Sequence, residues 1–490
     1  MGLQLRGERE RRWAEEEYAH LDLGHALRER AVRRLAAGAL AAPHGRLTQV
    51  FTAGAALQSA YRCLENPQVS SLEVGRAAWE ACVQRACARG FTTLIVPVDQ
   101  STLTFADPHH TRGLGPVGRR HYKAGARGVE VMTALGVSPH GEVLGPVGQS
   151  YWKREETADP RPAWARPLEE KETRYWLHTA ERAVAAAESA AAGPDGERHL
   201  LRLWLQMDRG ADFLEALAWA DSVRERHHVT IRAANERRLL GPEEGYLREA
   251  VAASPVLARH SVHVPARHGE PERWAHVEVR AAPVLLRLKD RRTDRTGAVL
   301  MSAVEVKEVG HTGGKKAKPA RPLHWLLLTT REVHSAQEAL AVVDAYCLRW
   351  RVEDFHRAWK KGACHVEDSQ LHHRRALLTW ATILASVATQ AEALKTRGSE
   401  EPDTPATEVL SVAQLRAALL LSGEEDASEE AARQLTLLDA KVLVGRLGGW
   451  TGYYSGAPPG TQTLTRGLER VDVAALTLVA YERLKQKNRS

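Results

Sequence analysis

The chain of 490 residues contains no run of 18 apolar residues, so no membrane-spanning helix is expected. Its first residues, MGLQLRGERERRWAEEE, hold no apolar stretch, which excludes a secretory signal there. Five cysteines (Cys63, Cys82, Cys87, Cys347 and Cys364) are an odd number without paired metal spacing. They read as reduced thiols, not as a disulfide framework or a zinc site. No internal repeat is present.

What is present is enough to bury a large core. Hydrophobic residues make up 43% and charged residues 26%, and the length suggests about two to four structural units. The formal net charge is +7, compatible with a nucleic-acid partner but dilute over this length.

Residues 1–75 read as short helices with basic faces, Arg28, Arg30, Arg33 and Arg34 clustering in one of them. A helix from Ala53 to Leu64 stops at Asn66-Pro67, and Ser70 with Glu73 opens another that reaches Ala88. The run Leu94-Ile95-Val96-Pro97-Val98 predicts a buried strand ending at Asp99, with Pro97 arguing against a fully paired central position. Strands over 129–137 and 143–151 flank the turn Pro139-His140-Gly141. A helix over 171–192 closes at Gly193-Pro194-Asp195-Gly196, and an apolar strand over 200–207 ends at Asp208, followed by a helix over 213–226. From 229 to 330 the pattern is β-rich with basic loops, among them His311–Arg321, which reads as a DNA-tracking loop or a plain basic one. Ser335 caps a long helix reaching Lys361, a second helix covers 375–394, 396–408 reads as a linker, and the rest is helical. The order predicts an α/β core interrupted by an insertion, with the carboxylates at strand ends where α/β sheets place ligands.

Tyr346, Arg349, Glu353 and Lys360 stand at i, i+3, i+7 and i+14, within an arc of roughly 60° on a helix. In isolation this could be a solvated charged stripe. Together with Asp99 and Asp208 it reads differently: three carboxylates from two strands and a helix can hold two Mg²⁺ ions about 3.5–4 Å apart, and the cations beside them suit phosphate.

The string YCLRWRVEDFHRAWK (346–360) has the form Y-x2-R-x3-E-x6-K and resembles the motif of the insertion-sequence-four family of bacterial DDE transposases. VDQSTLTF around Asp99 and MDRGAD around Asp208 are similar to that family's two catalytic aspartate regions. AYRCLENPQVS, EEKE, WLLLT and GRLGGW match further segments in the same order, over nearly the whole chain. The resemblance implies an RNase H-like catalytic core (76–395) with a β-rich insertion at about 229–330. It also implies a helical domain binding the transposon end (1–75) and a helical dimerisation domain (396–490). The implied activity is cut-and-paste transposition: nicking, hairpin formation and opening, then strand transfer. Asp99, Asp208 and Glu353 would be both catalytic residues and ligands of two Mg²⁺ ions, with Mn²⁺ as a substitute. Tyr346, Arg349 and Lys360 would contact phosphates. Trp325 would stack on a flipped base, and Arg232 would line that pocket. Arg28, Arg30, Tyr61, Arg62 and Asn66 would bind the end. The implied partners are end and target double-stranded DNA and a second copy of the chain in a synaptic complex, in the bacterial cytoplasm at the nucleoid. Two departures stand out. Gly210 replaces an acidic residue, and Thr461, Thr465 and Leu468 replace tryptophans, which puts the tightness of the C-terminal packing in question. A DNA-binding derivative that no longer cuts and an RNase H-like nuclease are the rival readings.

Overall fold

The computed structural model describes residues 7–117, 127–157, 159–190, 201–241, 245–265, 271–313, 321–452 and 458–487. The expected helix stop at 193–196 and most of the basic loop at 311–321 lie outside these residues.

Five helices open the chain: α1 (Glu8–Glu17), α2 (Ala26–Ala41), α3 (Leu47–Val50), α4 (Gly54–Glu65) and α5 (Ser71–Ala88). The Ser70 hydroxyl accepts from the Glu73 N–H at the start of α5, satisfying a donor that the helix cannot. The sheet then begins with β1 (Thr93–Phe105), β2 (Gly115–Pro116), β3 (Arg127–Val137) and β4 (Val143–Trp152). β1 pairs antiparallel with β3, and β3 with β4. The β3–β4 hairpin turns at Gly141, whose φ of 98° favours glycine. After α6 (Arg174–Ala190) comes β5 (Arg202–Met207), then α7 (Leu214–Ser222) and β6 (His228–Arg232). β1, β5 and β6 run parallel. Three antiparallel strands continued by two parallel ones, in the order β4-β3-β1-β5-β6, make an RNase H-like core.

The short α8 (Leu247–Ala253) precedes β7 (Val256–Val264), β8 (Arg273–Lys289), β9 (Thr296–Thr312) and β10 (His324–Thr329). β10 pairs with β6 and β9, so the β-rich stretch extends the same sheet to ten strands. α9 (Ala336–Cys347), α10 (Arg351–Lys360) and α11 (Arg374–Glu400) follow, then α12 (Val412–Ser422), α13 (Glu429–Gln434), α14 (Leu437–Leu447) and α15 (Thr461–Lys487).

Helices cover both faces of the sheet. Cys82 and Val83 of α5, with Trp176, Leu177 and Ala180 of α6, pack on Leu94, Val96 and Val98. On the other face Val342, Phe355, Trp359 and Trp380 join Ile95, Leu103 and the N-terminal Tyr18, Leu35 and Leu64 in one cluster. A third cluster joins the end of α11 to α12, α14 and α15. The positions 75/76 and 395/396, expected as domain boundaries, fall inside α5 and α11, with Gly75, Ala77, Leu394 and Thr396 all buried. α11 is long and apolar enough to span a membrane by length alone, but most of it is buried in this core.

Three local expectations are corrected. β1 does not end at Asp99 but runs to Phe105, because β3 continues to pair with it after β5 stops. β1 is a central strand between β3 and β5, but, as expected of Pro97, it is not fully paired: the register with β3 skips Val96 and Pro97. The helix from Ser335 is interrupted by a 3₁₀ turn over Leu348–Trp350, although its Ser335/Glu338 capping box is present. The expected linker at 396–408 is helical as far as Glu400, where Arg397 pairs with Glu401 and Glu408.

The C-terminal packing is tight without the tryptophans. A Cβ on Gly467 would lie 1.9 Å from the Val444 carbonyl oxygen, and one on Gly448 would lie 1.8 Å from that of Thr463, so α14 and α15 touch backbone to backbone. Thr461 accepts a hydrogen bond from Lys395 Nζ at 2.7 Å, and Leu468 lies in the third cluster.

Candidate active site

Asp99 sits where the parallel pairing of β1 with β5 ends, at Val98 opposite Met207, and Asp208 is the first residue after β5. The backbone therefore brings the two carboxylates to adjacent positions on one sheet edge. Asp208 caps the following 3₁₀ turn, its Oδ1 accepting from Gly210 N at 2.6 Å. The second aspartate of MDRGAD has a different task. Asp212 is fully buried, accepts from Ala234 N (2.7 Å) and Asn235 N (2.8 Å), and pairs with Arg237, tying the turn after β5 to the chain after β6.

Glu353 enters from α10. Arg349, in the 3₁₀ turn, donates through Nη1 to Asp99 Oδ2 (3.2 Å) and through Nη2 to Glu353 Oε1 (2.9 Å). One buried guanidinium thus bridges two of the three carboxylates. Burial pushes the Asp99 carboxyl up to about 6; Arg349 opposes this, while Asp208 and Glu353 add to it. Burial works against the charge of Arg349, yet Tyr346, Asp99 and Glu353 raise its pKa overall. Among the described residues no three His, Cys, Asp or Glu side chains stand together as a ready metal cage. The donor set nevertheless fits a hard cation: three carboxylates, two of them already held by one positive group.

Lys360 closes the site on the far side. Its Nζ is 3.5 Å from Ser101 Oγ and 3.6 Å from Glu367 Oε1, and Glu367 also accepts from Thr104 N at 2.9 Å. A cleft lined by Asp99, Ser101, Glu353, His356, Arg357 and Lys360 opens to solvent.

Tyr346 is buried, its ring 5.1 Å edge-on to Trp325. Among the described residues its hydroxyl has no hydrogen bond of good geometry, though the Arg232 guanidinium is beside it. Arg232 donates to the His324 carbonyl at 3.1 Å. Burial lowers its pKa; Tyr346 opposes this, and Arg209 and Arg349 add to it. Trp325 differs from the expected open stacking face. It is 4% exposed, because alternate residues of β10 point into the helical layer and Tyr346 lies against it.

The five N-terminal candidates divide. Arg30 and Arg62 are exposed. Arg28 donates to the Leu23 carbonyl at 2.8 Å, Asn66 accepts from Gln68 N at 2.9 Å, and Tyr61 packs half-buried against the core. Sequence reasoning missed Ser101, Glu367, His356 and Trp176. Ser101 was reachable, since it lies two residues past Asp99 on the same face of a strand. His356 follows Glu353 by three positions. Glu367 and Trp176 reach the site by tertiary contact alone. A Cβ on Gly210 would meet Trp176 Cζ2 at 2.8 Å and Asp208 Oδ1 at 3.1 Å. Gly210 is thus where an indole is seated beside the second aspartate.

Residues 10–69 match the family described as transposase DNA-binding. All five N-terminal candidates fall within that match, which supports a DNA transposase and DNA as its partner. Over 82% of its length the chain is also similar to a piggyBac transposase, solved by cryo-electron microscopy as a synaptic complex with hairpin DNA. The identity is 10%, the TM-score is 0.31, and the match spans 61% of that transposase.

Proposed function

We propose that the protein is a DDE-type DNA transposase that excises and inserts a DNA element, with Asp99, Asp208 and Glu353 as its catalytic carboxylates. The observation that supports this reading is the adjacency of Asp99 and Asp208 at the ends of two parallel strands, with Arg349 bridging Asp99 to Glu353 of a helix, in a chain whose residues 10–69 match a transposase DNA-binding family. Mg²⁺ held by them, with Mn²⁺ as a substitute, would supply activation of a water or 3′-hydroxyl and charge neutralisation at the leaving oxygen.

The chain's own residues have distinct tasks. Lys360 offers a point charge in the cleft beside the carboxylates, while Arg349, buried and holding Asp99 and Glu353, would turn its planar fork to a scissile phosphate once a cation takes over those carboxylates. Tyr346, Arg232 and Trp325 form a neighbouring group on the β10 side, proposed to hold the strand that turns back as a hairpin. α4 carries exposed Ala55, Gln58 and Arg62 at i, i+3 and i+7, a small and polar face that suits a DNA groove. On α15, Val473 (67% exposed), Leu476 (48%) and Leu484 (62%) fall on one stripe, which supports pairing with a second copy.

The test is a cleavage assay on labelled DNA bearing the element's own end, with Mg²⁺ or EDTA. A Mg²⁺-dependent nick followed by a hairpin is expected. Glu353→Ala should abolish the nick and keep end binding, and affinity should fall steeply with salt. Specific binding without any cut would establish the inactive derivative. Cutting without joining would establish a nuclease.

A further inference from the structure

The end of the sheet opposite the candidate active site is also basic. Arg202 begins β5 and His228 begins β6, six residues or about 20 Å along the strand from Asp208. Thr330 and Arg331 follow β10 at the same end, and Arg224 reaches it from the turn after α7. Arg224, His228, Thr330 and Arg331 line an open hollow of about 300 Å³, rimmed by Glu225 and Glu332. Arg202 Nη1 is 3.1 Å from His228 Nε2, and Arg202 Nη2 donates to the Glu225 carbonyl at 3.3 Å. Arg331 lies over the Trp204 ring at 4.4 Å. Neither Arg202 nor Arg331 has a carboxylate partner among the described residues, whereas Arg224 pairs with Asp221. His228 Nδ1 is buried without a partner among the same residues. Burial, then Arg202 and Arg331, push the His228 imidazole down to about 4, as expected where the local potential is strongly positive.

A second feature points the same way. The β8–β9 hairpin runs past this end: Ser302 is level with Thr329, while the strands still pair at Leu288 and Gly297, about 16 Å further out. Its tip is ordered by its own acids. Asp290 accepts from Arg292 N (2.9 Å) and Thr293 Oγ1 (2.5 Å), and Asp294 pairs with Lys289 (2.7 Å). That leaves Arg291, Arg292 and Arg295 exposed without an ion pair among the described residues.

We propose that this pole of the sheet is a second phosphate-binding surface, which holds the backbone of a DNA segment other than the one in the catalytic cleft. The hollow takes a phosphate beside Arg331 and Arg224, Arg202 adds positive charge from behind His228 in its wall, and the hairpin tip reaches further along the same backbone. The DNA part rests on the transposase reading; the anion site itself does not.

The experiment compares wild type with Arg202→Gln/Arg331→Gln and with Arg291→Gln/Arg292→Gln/Arg295→Gln, the latter an exposed tip whose loss leaves the core untouched. Affinity is measured by anisotropy for a short duplex holding only the element end and for a long duplex of random sequence, across salt. Each variant should bind the long duplex at least about tenfold more weakly, with the slope of log affinity against log salt reduced by about 0.9 per lost contact. Short-duplex binding and Mg²⁺-dependent nicking should be unchanged. Unaltered long-duplex binding in both variants, or an equal loss on both duplexes, would overturn the proposal. Inorganic phosphate that raises the melting temperature of wild type but not of Arg202→Gln/Arg331→Gln, with long-duplex binding intact, would make the hollow a small-anion site and overturn its role with DNA. A wild type that neither nicks nor prefers the element end, yet loses long-duplex affinity in the variants, would sink the transposase reading and leave the pole standing as a polyanion surface.

Discussion

Arg349 donates to Asp99 across 250 residues of sequence, its Nη1 3.2 Å from the carboxylate Oδ2. The other terminal nitrogen holds Glu353, so the guanidinium neutralises two carboxylates that would otherwise face each other in a partly buried site. Arg349→Ala should destabilise the metal-free protein by about 3 kcal/mol, since it strands both charges. Mg²⁺ should restore part of that loss, raising the melting temperature of the variant more than that of wild type. Equal Mg²⁺ responses would show that the carboxylates and the cation do not share one site.

Gly210 gives a packing test. Gly210→Ala drives a methyl into Trp176 and toward Asp208, so it should lower stability by about 1–3 kcal/mol and cleavage by more than that loss explains. Gly210→Ala with Trp176→Phe should recover stability, because the smaller ring vacates the contact. The check is a double-mutant cycle on unfolding free energy; additivity of the two changes would mean that they do not touch.

His356 makes acid stability readable. Its imidazole is 6% exposed, its Nε2 has no hydrogen bond among the described residues, and burial, then Lys360, hold its pKa down to about 3. The depressed value means that the fold favours the neutral ring. Its contribution is full above the unfolded value of about 6.5 and is lost as pH falls toward 3. Between pH 7.5 and 4.5 wild type should lose about 3 kcal/mol through this residue, at about 1.4 kcal/mol per unit below 6.5. In His356→Gln that part of the slope should vanish, whatever the variant's absolute stability. Denaturant melts at the two pH values decide it.

The crossing of α14 and α15 gives a second packing test. Gly467→Ala places a methyl 1.9 Å from the Val444 carbonyl oxygen, and backbone cannot step aside as a side chain can. A loss of about 3 kcal/mol is expected, with the damage confined to the C-terminal cluster. Hydrogen exchange should show faster opening of α12, α14 and α15 while β1 and β5 stay protected. Uniform loss of protection would mean that the C-terminal helices do not open separately.

Much of the architecture was legible because it is written locally. The apolar runs on either side of the Pro139-His140-Gly141 turn gave the β3–β4 hairpin, both strands of which are buried almost throughout. Asn66-Pro67 stopped α4, and Ser70 and Ser335 started α5 and α9, since each cap is a hydrogen bond within four residues. The site was legible in part for the same reason: Tyr346, Arg349, Glu353 and Lys360 share a helical face even with the 3₁₀ turn among them. The misread points all involve partners distant in sequence. Asp99 looked like a strand end because polarity rises there, and only the presence of β3 shows that the strand goes on. The stretch 396–400 looked like a linker because it is polar, but Thr396 is buried and Arg397 is held by ion pairs.

By itself the sequence determined most of the helix and strand segments, the basic N-terminal helices, and the motif contexts of the candidate carboxylates. These depend on periodicity, capping and turn chemistry, all local. The tertiary structure alone decided that Asp99 and Asp208 are neighbours, that Arg349 lies between Asp99 and Glu353, that Asp212 is spent on holding a turn, and that Trp325 is covered by Tyr346. These are matters of strand register and of which surface a side chain is packed against, and both are set by contacts between residues far apart in the chain.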